Sequence, residues 1–209
     1  MPEGVYRTGG FQVGRYAGRG AELKFFDGTK ASTATGTGGT IFNDSLVLIQ
    51  QGAGESNRIG RKCVVKSIHL RGQVLLAAKT SSNQTSDVVR IMLYWDKQTN
   101  GAAATVANIL ASADSDAFRN LQNSGRFRIL YDKWTNMSAL SGQGDGTTFA
   151  YGEVAKHFRI NKRCHVPLEF DASTGAITDL TTNNIGVLVI SQAGAASVEY
   201  NWRIRFSDN

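Results

Sequence analysis

The chain has 209 residues, of which 41% are hydrophobic and only 19% charged, enough for one globular domain with a sizeable core. Lys and Arg number 23 against 17 acids, a net charge of +6 that suits a polyanionic partner without demonstrating one. The longest apolar run, Ile185–Ile190, is far short of a membrane-spanning helix, and no apolar signal region follows Met1, so neither membrane insertion nor classical secretion is expected.

In chain order, residues 1–21 hold Arg7, Arg15 and Arg19 among glycines and read as a flexible basic leader; residues 22–209 form the domain. Glu22–Asp27 is the first extended piece, and Gly28–Gly39, nearly all Gly, Thr, Ser and Ala, reads as loop. Leu46–Ile49 could form a short strand before the loop Gly52–Asn57. Cys63–Leu76 and Val88–Trp95, rich in β-branched and apolar residues, predict strands. Between Val88–Trp95 and the next strand, Thr105 can cap a helical turn holding Val106, Ile109 and Leu110, and Asp114–Leu121 can add another. Phe127–Lys133 alternates apolar with polar residues, and Val154–Val166 shows no helical period. Ile185–Ile190 suits a strand buried on both faces, and Val198–Phe206 alternates cleanly. With 23 Gly, two Pro and no helix-forming blocks, the pattern is all-β and antiparallel, a sandwich or jelly roll with long loops and one or two short helices.

Little in the chain points to catalysis. His69, His157 and His165 are scattered, and Cys164 and His165, being adjacent, would point to opposite faces of a strand. Cys63 and Cys164 read as reduced core thiols. Asp96–Gly101 begins like a calcium loop, but the position that needs a bidentate Glu is Ala107; Asn100-Gly101 reads instead as a turn tolerating positive φ. The glycine clusters Gly36–Gly39 and Gly142–Gly146 neither open a helix after a strand nor supply a phosphate-binding Lys. The expectation is therefore no enzyme, no cofactor and no metal.

The informative feature is the placing of positive charge. Arg203 and Arg205 share one face of their strand, opposite Trp202, Ile204 and Phe206; Arg126 and Arg128 stand opposite Phe127, Ile129 and Tyr131; Arg71 shares a face with His69 and Gln73. Like charges facing one another across strands repel by up to about 1 kcal/mol per pair. A sheet that collects these arginines calls for a counter-charge, either solvent and stray acids such as Glu199 or nucleic-acid phosphates gripped without reading sequence. Arg7, Arg15, Arg19, Arg71, Arg126, Arg128, Arg203 and Arg205 are the expected nucleic-acid contacts. Further basic clusters are Lys156, Arg159, Lys162 and Arg163, and Arg58, Arg61 and Lys62.

Several pieces, in this order, resemble the capsid proteins of small circular single-stranded DNA viruses that encode a replication initiator, the circovirus and geminivirus relatives. They are Glu22–Asp27, Arg58–Lys62 running into Cys63–Leu76, Val89–Gln98, Arg126–Lys133 and Arg203–Asp208. The resemblance implies a single eight-stranded jelly roll of two facing four-stranded sheets, about sixty copies assembling into a T=1-like icosahedral shell around a circular DNA genome, and assembly in the host nucleus. It also implies that segments 63–76, 126–134 and 198–206 lie in one sheet lining the shell interior. That family usually begins with a long arginine-rich arm; only Arg7, Arg15 and Arg19 stand here, which leads to the expectation that an arm has been removed.

Loops at 28–43, 77–86, 100–122, 136–152 and 171–183 are candidate contacts between copies, and Trp134, at a strand end, is expected at a subunit boundary. The alternatives are the coat protein of a small satellite-type RNA virus, which would share fold, shell and basic interior, and a jelly-roll carbohydrate-binding module, which the aromatic-poor loops disfavour.

Overall fold

The computed structural model describes residues 23–76, 86–138 and 154–208. The strands are β1 (Leu23–Ala34), β2 (Thr40–Asn43), β3 (Lys62–Leu76), β4 (Ser86–Asp96), β5 (Phe127–Ser138), β6 (Val154–Phe170), β7 (Leu180–Thr182), β8 (Asn184–Ser191) and β9 (Ala196–Asp208). They form a five-stranded sheet, β1-β9-β3-β6-β7, and a four-stranded sheet, β2-β8-β4-β5, with every pairing antiparallel. This interleaved order is that of a jelly roll, as expected. The difference is β7, a three-residue strand paired with the end of β6 through Glu169–Thr182 and Phe170–Leu180, which widens one sheet to five.

The period-2 pattern of β3 turns Ile68, Leu70, Val74 and Leu76 inward, where they meet Val89, Ile91, Leu93, Val187 and Val189 of the other sheet in one buried core. Every residue of β8 is buried, because the four-stranded sheet is covered on both sides. Its outer face carries Met92, Tyr94 and Leu188, packed against Ala104, Ile109, Leu110 and Ala117 from the β4–β5 connection. Arg71, Arg159, Asn201, Arg203 and Arg205 are exposed, so among the described residues the outer face of the five-stranded sheet is open to solvent.

Local differences from the sequence reading have physical causes. The Gly28–Gly39 loop is instead strand as far as Ala34: β9 supplies the ladder, and a Cβ at Gly28 would overlap the Trp202 ring. Leu46–Ile49 is not a strand but an irregular buried crossing, tied by the Leu46 N–H to Ile185 O (2.7 Å) and by Trp202 Nε1–H to Leu46 O (3.2 Å). The turn of helix at Val106–Ile109 follows Thr105 as expected, with the Asn108 side chain accepting from the Thr105 N–H at 2.9 Å. Asp114–Leu121 forms no α-helix; Leu110 and Arg119 bridge instead, and a 3₁₀ turn covers Leu121–Asn123. Asn100 and Gly101 take positive φ (48° and 70°), the turn expected there.

Candidate nucleic-acid interface

On the open face, register decides which charges meet. Arg71 on β3 stands opposite Arg159 on β6 and Asn201 on β9. One row along, His69 faces Arg203 and Asn161, and the next row sets Ser67 between Arg205 and Arg163. The β1 edge adds Asp27 opposite Arg203 and Phe25 opposite Arg205. Alternation sends these side chains to the same side, and a trough of about 640 Å³ runs between Asp27, His69, Arg71, Arg159, Arg203 and Arg205. A neighbouring trough of about 690 Å³ continues past Gln73, His157 and Glu199.

Acids offset little of this charge. Arg203 donates twice to Asp27 (2.7 and 2.6 Å), which holds the Asp27 carboxyl below its usual pKa. Glu199 accepts from the Gln73 amide at 2.5 Å. Among the described residues, Arg71, Arg159, Arg163 and Arg205 make no ion pair. His69 shows the resulting field: burial first, then Arg205, Arg159, Arg71 and Arg203, push its pKa below the ordinary 6.5.

The expected grouping needs correction. Segments 63–76 and 198–206 are indeed neighbours, β3 beside β9, but 127–138 is β5 of the other sheet. Arg126 precedes β5 and is committed to the buried Asp96 through two hydrogen bonds (2.7 and 2.6 Å). Arg128 lies opposite Trp95, its guanidinium 6.0 Å from that ring. The expectation that Phe127, Ile129 and Tyr131 share a face also fails. A bulge between Leu93 and Tyr94 breaks the register, so Phe127 and Ile129 pack under the β4–β5 connection while Tyr131 joins the main core. Arg71, Arg203 and Arg205 are therefore brought together, whereas Arg126 and Arg128 lie apart from them; Arg7, Arg15 and Arg19 fall outside the described residues.

The other basic clusters divide too. In β6, Arg159 and Arg163 reach the open face, while Lys156 turns to the carbonyl of Asn136 on β5. Reading the alternation through 157, 159, 161 and 163 would have placed those two arginines in the site. Arg58 is fully buried, stacks 4.2 Å from the Phe170 ring, and donates to Ile49 O (3.0 Å), Gly60 O (2.5 Å) and Ala172 O. Arg61 and Lys62 pair at the surface with Asp171 (3.1 Å) and Glu169 (3.3 Å). Trp134, 48% exposed, lies over Arg90 (4.5 Å) and donates to Ser115 O at 3.0 Å. Cys63 and Cys164 are both free thiols, and burial pushes their pKa values up to about 12 and about 11. No group of three or more His, Cys, Asp or Glu among the described residues is placed to hold a metal.

A jelly roll with an arginine-bearing sheet face does not by itself name a family, and comparison with protein families does. Residues 11–209 match the family described as satellite tobacco necrosis virus coat protein. The chain belongs to that family. No curated protein matches it. The family overturns the resemblance to circular single-stranded DNA virus capsids, since it belongs to an RNA satellite, and the DNA cargo and DNA-virus assignment go with it. The pieces that suggested the resemblance are strands and arginines, and neither feature distinguishes DNA from RNA. As a coat protein the chain is a component of a virion. Nuclear assembly was implied by the DNA-virus resemblance alone and loses its basis.

Proposed function

We propose that this chain is a structural, non-catalytic coat protein of a satellite-type virus that assembles into a closed shell of about sixty copies and holds single-stranded RNA against the outer face of the five-stranded sheet. Arg71, Arg159, Arg163 and Arg205 supply the grip, and Arg203 joins them with its charge shared by Asp27. The observation that carries the reading is a sheet face with several arginines that, among the described residues, make no ion pair and are not covered, in a member of a coat-protein family. Guanidinium groups grip phosphate oxygens in pairs and carry no base preference, which suits a shell that encloses one long polymer in many local paths. Phe25, an exposed ring at the rim of this face, offers one place for a base to stack beside the arginines. Trp134 is assigned to a contact between copies.

The test compares the wild-type chain with the triple variant Arg71→Ala, Arg159→Ala, Arg205→Ala. Each phosphate contact contributes about 0.7 to the slope of log K against log salt for a single strand. Removing three contacts should flatten that slope by about 2 and lower the nucleic-acid content of purified particles. An unchanged slope would place the RNA elsewhere. Ribonuclease and deoxyribonuclease digestion of extracted cargo checks its chemistry.

A further inference from the structure

Two carboxylates stand on the arginine face, and they are used differently. Asp27 pairs with Arg203. Among the described residues Glu199 makes no ion pair, although Arg71 stands one row away on the neighbouring strand. Its partner is neutral: the Gln73 amide, directly opposite on β3, donates to Glu199 Oε1 at 2.5 Å. An acid that served to offset the arginines would pair with one of them, as Asp27 does. A carboxylate left over repels phosphate, so on a face that binds RNA its position calls for another kind of contact.

The surroundings of Glu199 indicate which. It lines the second trough, of about 690 Å³, together with Thr29, Gln73, His157 and Asn201, and this trough shares Arg71 and Arg159 with the first. Register sets Gln73 between His157 and Glu199 in one row, and Arg71 between Arg159 and Asn201 in the next. Rows two residues apart along a strand are separated by about 7 Å, comparable to the reach from a phosphate to its own base. Half-buried Glu199 offers acceptors alone. Asn201 is oriented by Thr29, whose hydroxyl donates to Asn201 Oδ1 at 2.7 Å, which leaves the Asn201 amide N–H groups as donors. Along β9 the trough therefore presents a charged acceptor and, two residues on, a donor. Guanine carries the complement on one edge, two adjacent donors (N1–H and N2–H) beside the O6 acceptor. Adenine would set its N1 acceptor against the carboxylate, cytosine its N3, and uracil has a single donor between two acceptors.

We infer that this trough is a subsite for an unpaired guanine, whose N1–H and N2–H donate to Glu199, whose O6 accepts from Asn201, and whose phosphate Arg71 and Arg159 hold. The arginines grip any nucleotide; the acid gives RNA crossing the face a preferred register. The inference rests on the RNA-binding face stated under the proposed function.

The test is fluorescence anisotropy of purified full-length subunits with labelled hexauridylates in which one internal residue is replaced by guanosine, inosine or adenosine. The guanosine probe should bind at least about fivefold more tightly than the adenosine probe, with inosine, which lacks the N2 amine, between them. Glu199→Gln keeps an oxygen for the Gln73 amide and should retain the wild-type circular dichroism and salt slope, yet bring the three affinities together. Asn201→Asp, which turns the donor facing O6 into an acceptor, should also abolish the preference. Equal binding of the guanosine and adenosine probes by wild type, or a preference that survives Glu199→Gln, would overturn the inference and leave the arginine grip standing. A salt slope unaltered in the Arg71→Ala, Arg159→Ala, Arg205→Ala variant would overturn the grip itself.

Discussion

Arg71 and Arg203 carry the same guanidinium on adjacent strands, yet their surroundings divide them. Arg203 is held by Asp27 and must share its charge with a phosphate, whereas Arg71 faces another arginine across the ladder and gains most from an incoming anion. Arg71→Ala should therefore reduce the salt slope of oligonucleotide binding by about 0.7, Arg203→Ala by less, and Asp27→Asn should tighten binding; fluorescence anisotropy across a salt series reads all three. His69 gives the face a pH response. Its folded pKa is depressed, so stability is fully present above the ordinary imidazole value and falls as pH drops below it, because the unfolded chain takes up the proton more readily. Phosphates between Arg71, Arg159, Arg203 and Arg205 would raise that pKa, so RNA binding takes up a proton and tightens as pH falls from about 7.5 to about 5.5. His69→Gln should flatten both trends, in urea midpoints without RNA and in affinity with it. A pH dependence unchanged in His69→Gln would assign the response to other groups.

At the scale of elements, one buried arginine fixes the cover of the four-stranded sheet. Arg90 donates to both oxygens of Asp132 (2.8 Å each) and to the carbonyls of Ser115 (3.0 Å) and Ala117 (2.7 Å), so β4, β5 and the 97–126 connection meet on a single side chain. Removing it leaves a largely buried carboxylate alone, a loss on the order of 3–5 kcal/mol; Arg90→Ala should lower the thermal midpoint sharply, and an unaltered melt would show that the connection is held otherwise. Gly72, central in β3, is equally constrained, since a Cβ there would overlap the Glu199 carbonyl and Tyr200. Gly72→Ala should cost about 1–3 kcal/mol in a denaturant melt. These elements also show what the sequence makes legible. β3, β4, β8 and β9 announce themselves through apolar runs or strict alternation, because their own side chains bury the core. β2 and the far half of β1 do not: the first is only four residues long, the second is small and polar, and both are edge strands imposed by β8 and β9. The arginine face was legible strand by strand, but the sheet assignment of β5 was not: it depends on long-range pairing with β4. Nor does the Leu93–Tyr94 bulge leave a mark in residue type.

For the whole molecule, two kinds of contact answer differently to salt. Contacts between copies that bury apolar surface change little with ionic strength. The arginine faces, if gathered around one interior, repel one another and need either RNA or screening before a shell can close. At +6 per chain, about sixty chains bring about +360 charges together, a cost that polyanion removes directly and that about 1 M salt removes by shortening the Debye length to about 3 Å. Purified subunits at low salt should therefore close only around RNA, giving particles with a high ratio of absorbance at 260 nm to that at 280 nm. Near 1 M salt the same subunits should close empty. The variant lacking Arg71, Arg159 and Arg205 should form empty shells already at low salt, because the repulsion that forbids them has been deleted. Size-exclusion chromatography with dual-wavelength detection reads every arm, and RNA-free particles forming equally well from wild type at low salt would mean that the arginine faces do not share an interior.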